Sequence, residues 1–285
     1  MPPRPGRARR LRVTPGVVAS YAFLGATVAF ALGPLAWALL TSLKGKTQVL
    51  AYPPVWIPDP VTFEHYREVL FGSSMPRYLL NTLIVALVSI AITLALATHT
   101  AYAATRFRFR GREVTMFLIL SASMVPIISL LTPLYLVWSW IGLHDSYLGV
   151  SLAYAAWQVP TAIWLIRGFV EAVPLEVEEA AMLDGCSPWQ CFYRIVLPII
   201  QPGLAAAGIL IFIYVWNDFL LATTLTLSEE RRLIQVGLYR YLSDLGVEWG
   251  RFTAYTVLAT LPIVIMFVAL QKRLMQGLVA GAMKG

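Results

Sequence analysis

From Gly16 to Leu43 the chain carries no charged side chain. Such a run exceeds the roughly 20 helical residues needed to cross about 30 Å of hydrocarbon. Within lipid every backbone N–H and C=O must be satisfied internally, so a stretch of this kind is restricted to a helix. It is also too long for the ~7–15-residue apolar core of a signal peptide, and reads as a retained span. Five similar stretches follow. Spans are expected near residues 16–42, 78–104, 114–139, 147–170, 202–226 and 253–271. Of the 285 residues, 58% are hydrophobic and 13% charged, against about a quarter charged in a soluble domain. The expected fold class is all-α, a polytopic membrane protein with six transmembrane helices. Soluble enzymes, disordered regulators and small secreted scaffolds are excluded. The two cysteines, Cys186 and Cys191, are too few for a disulfide framework and match no zinc spacing.

Orientation follows from Lys and Arg in the loops. Arg4, Arg7, Arg9, Arg10 and Arg12 precede span one, and Arg106, Arg108, Arg110 and Arg112 follow span two. Arg167, Arg194, Lys272, Arg273 and Lys284 fall on the same side. The opposite side has fewer: Lys44, Lys46, Arg67, Arg77, Arg231, Arg232, Arg240 and Arg251. Both termini are therefore expected in the cytoplasm, with Trp37, Trp56, Trp138, Trp140, Trp216 and Trp249 as an outer interfacial belt. The basic pI of 9.5 does not point to nucleic acid, because the basic residues flank spans and no aromatic-rich soluble module exists to stack bases.

The expected organisation is a basic cytoplasmic N-terminus (1–15), a six-span domain (16–275) and a cytoplasmic tail (276–285). Three segments are too polar for lipid. Lys44 to Arg77 is an outer loop with a short amphipathic stretch from Phe63 to Phe71. Ser228 to Arg251 is a second outer segment, helical in part around Leu233–Leu242. The third, Glu171 to Pro198, is cytoplasmic and reads as two short helices. Pro174 suits a first helical position, strong helix formers follow, and Gly185 supplies a left-handed stop. Ser187, Pro188 and Gln190 restart the chain as N-cap, N1 and N3 of a capping box. Trp189, Phe192, Ile195 and Val196 then form an apolar stripe before Pro198 ends the helix. Glu176, Glu178, Glu179 and Asp184 stand on the first helix with no basic residue between Glu171 and Gly185. An anionic leaflet would repel that acid. A docking element for a cytoplasmic protein explains it better than a linker lying on the membrane.

Glu179-Ala180-Ala181, three residues, Gly185, nine residues, and Ile195-Val196-Leu197-Pro198 resemble, in complete spacing, the EAA signature of ABC-importer permeases. Trp216-Asn217-Asp218-Phe219 and the tail from Gly277 to Gly285 resemble the sugar branch of that family, in particular the smaller permease subunit of maltose-type transporters. The resemblance implies a type I ABC importer permease in a bacterial or archaeal cytoplasmic membrane. It further implies that the loop is a coupling helix seated in a cleft of an ATPase subunit. Glu179, Ala180, Ala181, Asp184, Gly185, Leu197 and Pro198 are the implied coupling residues. A tail that reaches the ATPase dimer, through Gly281, Lys284 and Gly285, is the alternative to a frayed end. The implied partners are a homologous second permease subunit, two cytoplasmic ATPase subunits, an extracytoplasmic solute-binding protein and membrane lipid. The chain itself is expected to bind no cofactor, with ATP and Mg held by the partner ATPase.

The residues themselves give no motor. Gly45-Lys46-Thr47 has Leu40 where a phosphate loop requires glycine. His65, His99 and His144 fall on different loops or spans and are read as interfacial or packing residues rather than metal ligands. Catalysis by this chain is not expected. Within the spans, Asp218 beside Asn217 is either an acid snorkelling to the outer headgroups or a hydrogen-bonding group on the substrate path or outer gate. Gln158 near Pro160, with Ser121, Ser123 and Pro126, either lines a cavity or packs between helices. Gly203, Ala205, Ala206, Ala207 and Gly208 form a small-residue face suited to close helix approach. The leading expectation is the permease subunit of an ATP-driven importer for a mono-, di- or oligosaccharide. A permease for glycerol phosphate or a polyamine is the alternative, with an ion-coupled secondary transporter or a structural scaffold less well supported.

Overall fold

The computed structural model describes residues 15–243 and 246–282, with side chains described through residue 270 apart from 243. The arginine-rich first residues and Lys284 and Gly285 of the tail lie outside them; Gly281 is the penultimate residue of the last helix, its side-chain environment undescribed.

In chain order the helices are α1 (Pro15–Ser42), α2 (Lys46–Val49), α3 (Glu64–Phe71), α4 (Met75–Arg106), α5 (Arg112–Ala122), α6 (Ile127–Trp140) and α7 (Tyr147–Glu171). They continue with α8 (Leu175–Leu183), α9 (Pro188–Cys191), a π turn (Phe192–Val196), α10 (Leu197–Ile199), α11 (Gln201–Asn217), α12 (Leu220–Leu225), α13 (Ile234–Gly237) and α14 (Trp249–Ala282). A two-stranded hairpin, β1 (Leu242–Ser243) with β2 (Gly246–Val247), precedes the last helix. Four of these helices are long and apolar enough to cross a membrane, and six spans result when each of two bent pairs is taken as one. The all-α, multi-pass class is as expected.

The bends are where hydropathy misleads. Span three is not continuous: α5 and α6 meet at 94° across Ser123–Pro126. Pro126 has no N–H to extend the α5 ladder, and it adopts extended geometry (φ −61°, ψ 124°) as the residue from which α6 starts. Span five, expected over 202–226, stops at Asn217, and Asp218 is extended (ψ 126°) before α12 begins. At the other end of span five, Pro198 does not terminate the loop helix. The π turn carries the chain through Pro198, which occupies the first turn of α10 where a missing donor is harmless. The 71° bend falls instead at Ile200, ahead of α11 with Pro202 in its first turn. In the segment 228–251 the expected helix shrinks to α13 and a 3-10 turn (Leu238–Tyr241) before the hairpin.

The α4 and α7 helices form the centre of the molecule, with α11 against both and α14 packed on α11. Two buried clusters result. One, nearer the start of α4, holds Tyr78, Tyr154, Trp216, Leu233 and Tyr255. The other, at the opposite end, holds Tyr102, Ile163, Ile166, Phe192 and Val196. Trp216 is thus not part of an interfacial belt. It is buried and donates to the Ala259 carbonyl at 2.9 Å, because the indole fills core space while its N–H finds a partner within the fold. The small-residue face of α11 packs as expected. Gly203 lies so close to the Phe169 ring on α7 that a Cβ would approach it to 2.4 Å, and Gly208 sits beside Ile90 and Leu94 of α4. By contrast α1 is exposed along almost its whole length, with only Thr41 and Ser42 buried.

Candidate functional site

The helix α8 projects from the end of the molecule at which α4 finishes and α11 begins. Its geometry is set locally. The α7 helix closes at Glu171, three residues intervene, and Pro174 (φ −59°, ψ 136°) precedes the first turn of α8. At its end Gly185 takes φ +94°. Its N–H reaches the Met182 carbonyl at 3.1 Å, and the Cys186 N–H reaches Ala181 at 3.0 Å. These are the two hydrogen bonds of a Schellman stop, which satisfy carbonyls the helix leaves open. The Ser187 hydroxyl accepts from Gln190 N–H at 3.3 Å and the Ser187 N–H donates to Gln190 Oε1 at 2.8 Å, forming the expected capping box.

The resulting hairpin presents Glu179, Ala180, Asp184 and Gly185 to solvent, with Ala181 and Leu197 half-buried and Pro198 exposed. Leu175, Val177, Met182 and Leu183 are also exposed, Leu183 at 89%. This is an acidic and apolar knob with no cover from the other described residues. One acid is not part of it. Glu178 is only 2% exposed. Arg106 Nε donates to Glu178 Oε1 at 2.5 Å and the Tyr102 hydroxyl donates to Oε2 at 3.0 Å. Arg106 Nη2 also donates to the Val170 and Val173 carbonyls at 3.0 and 2.7 Å. Read from the residues alone, the acids of α8 are alike, and the family resemblance singles out Glu179 and Asp184 without marking Glu178 as turned inward. The helical period was the available signal: it sets Glu178 about 100° round the helix from Glu179, so the two do not point the same way. Beside the hairpin an apolar cavity of about 300 Å³ is lined by His99, Tyr102, Phe107 and Trp189, and His99 Nε2 lies 2.8 Å from the Tyr193 hydroxyl.

At the opposite end the candidate path residues separate. Asp218 Oδ2 accepts the Tyr154 hydroxyl at 3.0 Å and the N–H groups of Leu221 and Ala222 at 2.9 and 3.4 Å. Asp218 thereby holds the break in span five and starts α12. Gln235, which sequence reasoning missed, donates across the same break to the carbonyls of Val215 and Asp218. Asn217 remains exposed, its amide turned to its own helix at Ile213. Gln158 is half-buried one turn beyond Tyr154 on α7. The segment carrying Gln235 is fastened to α4. Asn81 Nδ2 donates to the Glu230 and Arg232 carbonyls, Thr82 Oγ1 accepts from Ile234 N–H, and Glu229 takes hydrogen bonds from Ser74, Tyr78 and Arg240. The Ser74 hydroxyl and then the Arg240 guanidinium hold the Glu229 carboxyl down at about 2. Among the described residues no group of three or more His, Cys, Asp or Glu is placed to hold a metal ion.

Residues 99–279 match the family described as the binding-protein-dependent transport system inner membrane component. The chain belongs to that family. The match begins at His99 and so contains the Arg106 contacts, the α8 hairpin and the break at Asp218. Relatives of this permease align over most of its length. It is 34% identical to the trehalose transport system permease protein of Mycobacterium tuberculosis, over 90% of this chain and 94% of the relative. It is 33% identical to the diacetylchitobiose uptake system permease protein of Streptomyces coelicolor (96% and 98%). Identity to the trehalose/maltose transport system permease protein of Thermococcus litoralis is 32% (89% and 92%). A crystal structure of a bacterial ABC transporter involved in import of the acidic polysaccharide alginate superposes with TM-score 0.80 at 25% identity, covering 94% of this permease and 99% of that chain. The permease is accordingly a multi-pass protein of the cytoplasmic membrane, and its family role is transport.

Proposed function

We propose that this chain is the membrane-spanning permease subunit of an ATP-driven carbohydrate importer, and that α8 is where force from a separate ATPase enters it. The observation that carries this reading is the uncovered acidic and apolar hairpin, rigidly stopped at Gly185 and recapped at Ser187, in a chain whose relatives are named as sugar-transport permeases. A short helix presented in this way suits a groove on a partner. Glu179 and Asp184 supply polar contacts, Ala180 permits close approach, and Gly185 fixes the turn. The α8 end, with both termini, lies in the cytoplasm, as the basic loop at Arg106–Arg112 favours.

Closure of a nucleotide-bound ATPase dimer pulls the hairpin, and the spans rock between inward-open and outward-open states as rigid bodies. The ATPase subunits hold ATP and Mg; this chain holds neither. A second, homologous permease completes the passage, and the exposed α1 is available to it. A solute-binding protein delivers the sugar at the other end, an arrangement supported by the alginate transporter solved with its oligosaccharide-bound periplasmic protein, which shares the fold (TM-score 0.65). Asn217 and Gln158 face the path, with Asp218 positioning the former; Gly281, Lys284 and Gly285 reach towards the ATPase.

Reconstitution in liposomes with the cognate ATPase, second permease and binding protein tests this. Solute-stimulated ATP hydrolysis is expected, and changing Glu179 and Gly185 together abolishes it. Unchanged stimulation rejects α8 as the coupling element. The solute class is read from which ligands raise the melting temperature of the binding protein; a glycerol phosphate or polyamine in place of a sugar reassigns it. Uptake that persists with an inactivated ATPase would identify ion-coupled transport.

A further inference from the structure

Arg106 is the last residue of α4, and its guanidinium meets three elements at once. Through Nε it engages Glu178 in the first turn of α8; through Nη2 it engages the carbonyls of Val170, in the last turn of α7, and Val173, in the three-residue connection. The side chains of Arg106 and Glu178 are only 13% and 3% exposed. Tyr102, one turn earlier on α4, takes the other carboxylate oxygen. Among the described residues both oxygens of Glu178 are thus bound to α4 alone, while α8 shows its remaining acids to solvent.

Burying a charged pair is a poor way to gain stability, since apolar residues of similar volume do as well or better. What a planar guanidinium adds is a fixed geometry among several acceptors. Without this pair, α8 would be joined to α7 only through Ala172–Pro174, its other contact being with α9, which leads to span five, and part of a pull on it would be spent in bending that connection.

We infer that Arg106 and Glu178 are positioning residues that lock α8 to the ends of spans two and four, so that displacement of the hairpin is delivered to both spans together. This rests on the coupling reading of α8 and adds the element through which the motion passes. The pair does not itself touch the ATPase: Glu178 faces inward, and Arg106 lies behind it.

The test uses the assembled transporter in proteoliposomes, reading solute moved per ATP hydrolysed alongside ATPase co-purification. Arg106→Gln and Glu178→Gln are expected to retain the ATPase and to lower that ratio at least about fivefold, the lower end of a typical coupling energy. Arg106→Lys keeps the charge but cannot reach Glu178 and two carbonyls in one plane, and is expected to fall between. An unchanged ratio in Arg106→Gln overturns the inference, as does loss of the ATPase from both variants, which would make the pair part of the dock. Where the two charge variants fail to fold or to reach the membrane, Tyr102→Phe decides: it removes one hydroxyl from the Glu178 carboxylate, and a ratio equal to wild type is fatal to the proposal. Glu179→Arg, a surface change on α8, separates the two levels. If it uncouples transport while Arg106→Gln does not, only the tie is wrong; if it leaves coupling intact, the reading of α8 itself is wrong.

Discussion

The Tyr154 hydroxyl donates to Asp218 Oδ2 at 3.0 Å, joining the middle of α7 to the point at which span five breaks. The same oxygen receives two backbone N–H groups of α12. Asp218→Ala therefore loses a helix start worth about 1 kcal/mol and leaves a fully buried tyrosine hydroxyl unmade, a further ~1–3 kcal/mol. A clear drop in melting temperature in detergent is expected. Asp218→Asn, which keeps one acceptor oxygen, is expected to lose less. Asn217→Ala is expected to leave the melting temperature unchanged and to reduce solute uptake. If the neighbouring variants behave alike in both measurements, the division of roles between them is wrong.

Gly185 has φ +94° and open space where a Cβ would be. Strain at this position is therefore purely backbone strain, on the order of 1–2 kcal/mol for a residue with a side chain. Gly185→Ala is expected to lower solute-stimulated ATP hydrolysis with little change in global melting, because the misfit falls on an exposed hairpin. Gly185→Asn, which tolerates left-handed geometry better, should recover part of the stimulation.

What could be read from sequence was what depends on neighbours in sequence. The stop at Gly185 and the capping box of Ser187 and Gln190 involve residues within five positions of one another, and both are present as read. The number of spans was also legible, since apolar length is a local quantity. The bends were not. A hydropathy window averages across Ser123–Pro126 and across Asp218, because a break flanked by apolar residues leaves the mean unchanged. Trp216 was placed at an interface because the sequence carries its distance from a span end but not the space beside Ala259 that it fills. Arg106 and Glu178 lie 72 positions apart, and each had a plausible local reading, one as a topogenic charge and the other as a docking acid. Only the fold shows that they satisfy one another.

Gly237 sits where a Cβ would approach the Tyr78 ring to 2.3 Å and the Tyr255 hydroxyl to 2.5 Å. Both tyrosines are fully buried, and Tyr255 donates to the Ile234 carbonyl at 2.6 Å. Neither ring has room to withdraw. Gly237→Ala is expected to cost ~1–3 kcal/mol by overpacking and to loosen α13 from α4. Gly203→Ala meets the half-buried Phe169 ring instead, which can shift, so its cost should be smaller. Thermal unfolding of the two variants side by side checks the order; an equal or reversed order would show that burial of the facing ring does not set the penalty.

The acid sensitivity of the segment after α12 follows from Glu229. Its carboxyl, ordinarily near 4.5, is lowered to about 2 by the Ser74 hydroxyl first and the Arg240 guanidinium next. A depressed value means that the charged form is favoured in the fold. The stabilisation is therefore complete above the ordinary value and is lost as pH falls from there through the lowered one. Glu229→Gln should melt below wild type by a constant margin at neutral and mildly acidic pH. The margin should close as the solution is acidified towards pH 2, where wild type carries the proton too. Because the carboxylate is 45% exposed, the margin is expected to be small and to shrink with added salt. A margin that widens on acidification would mean that Glu229 is held neutral in the fold, and that its contacts with Ser74, Tyr78 and Arg240 do not fasten this segment through charge.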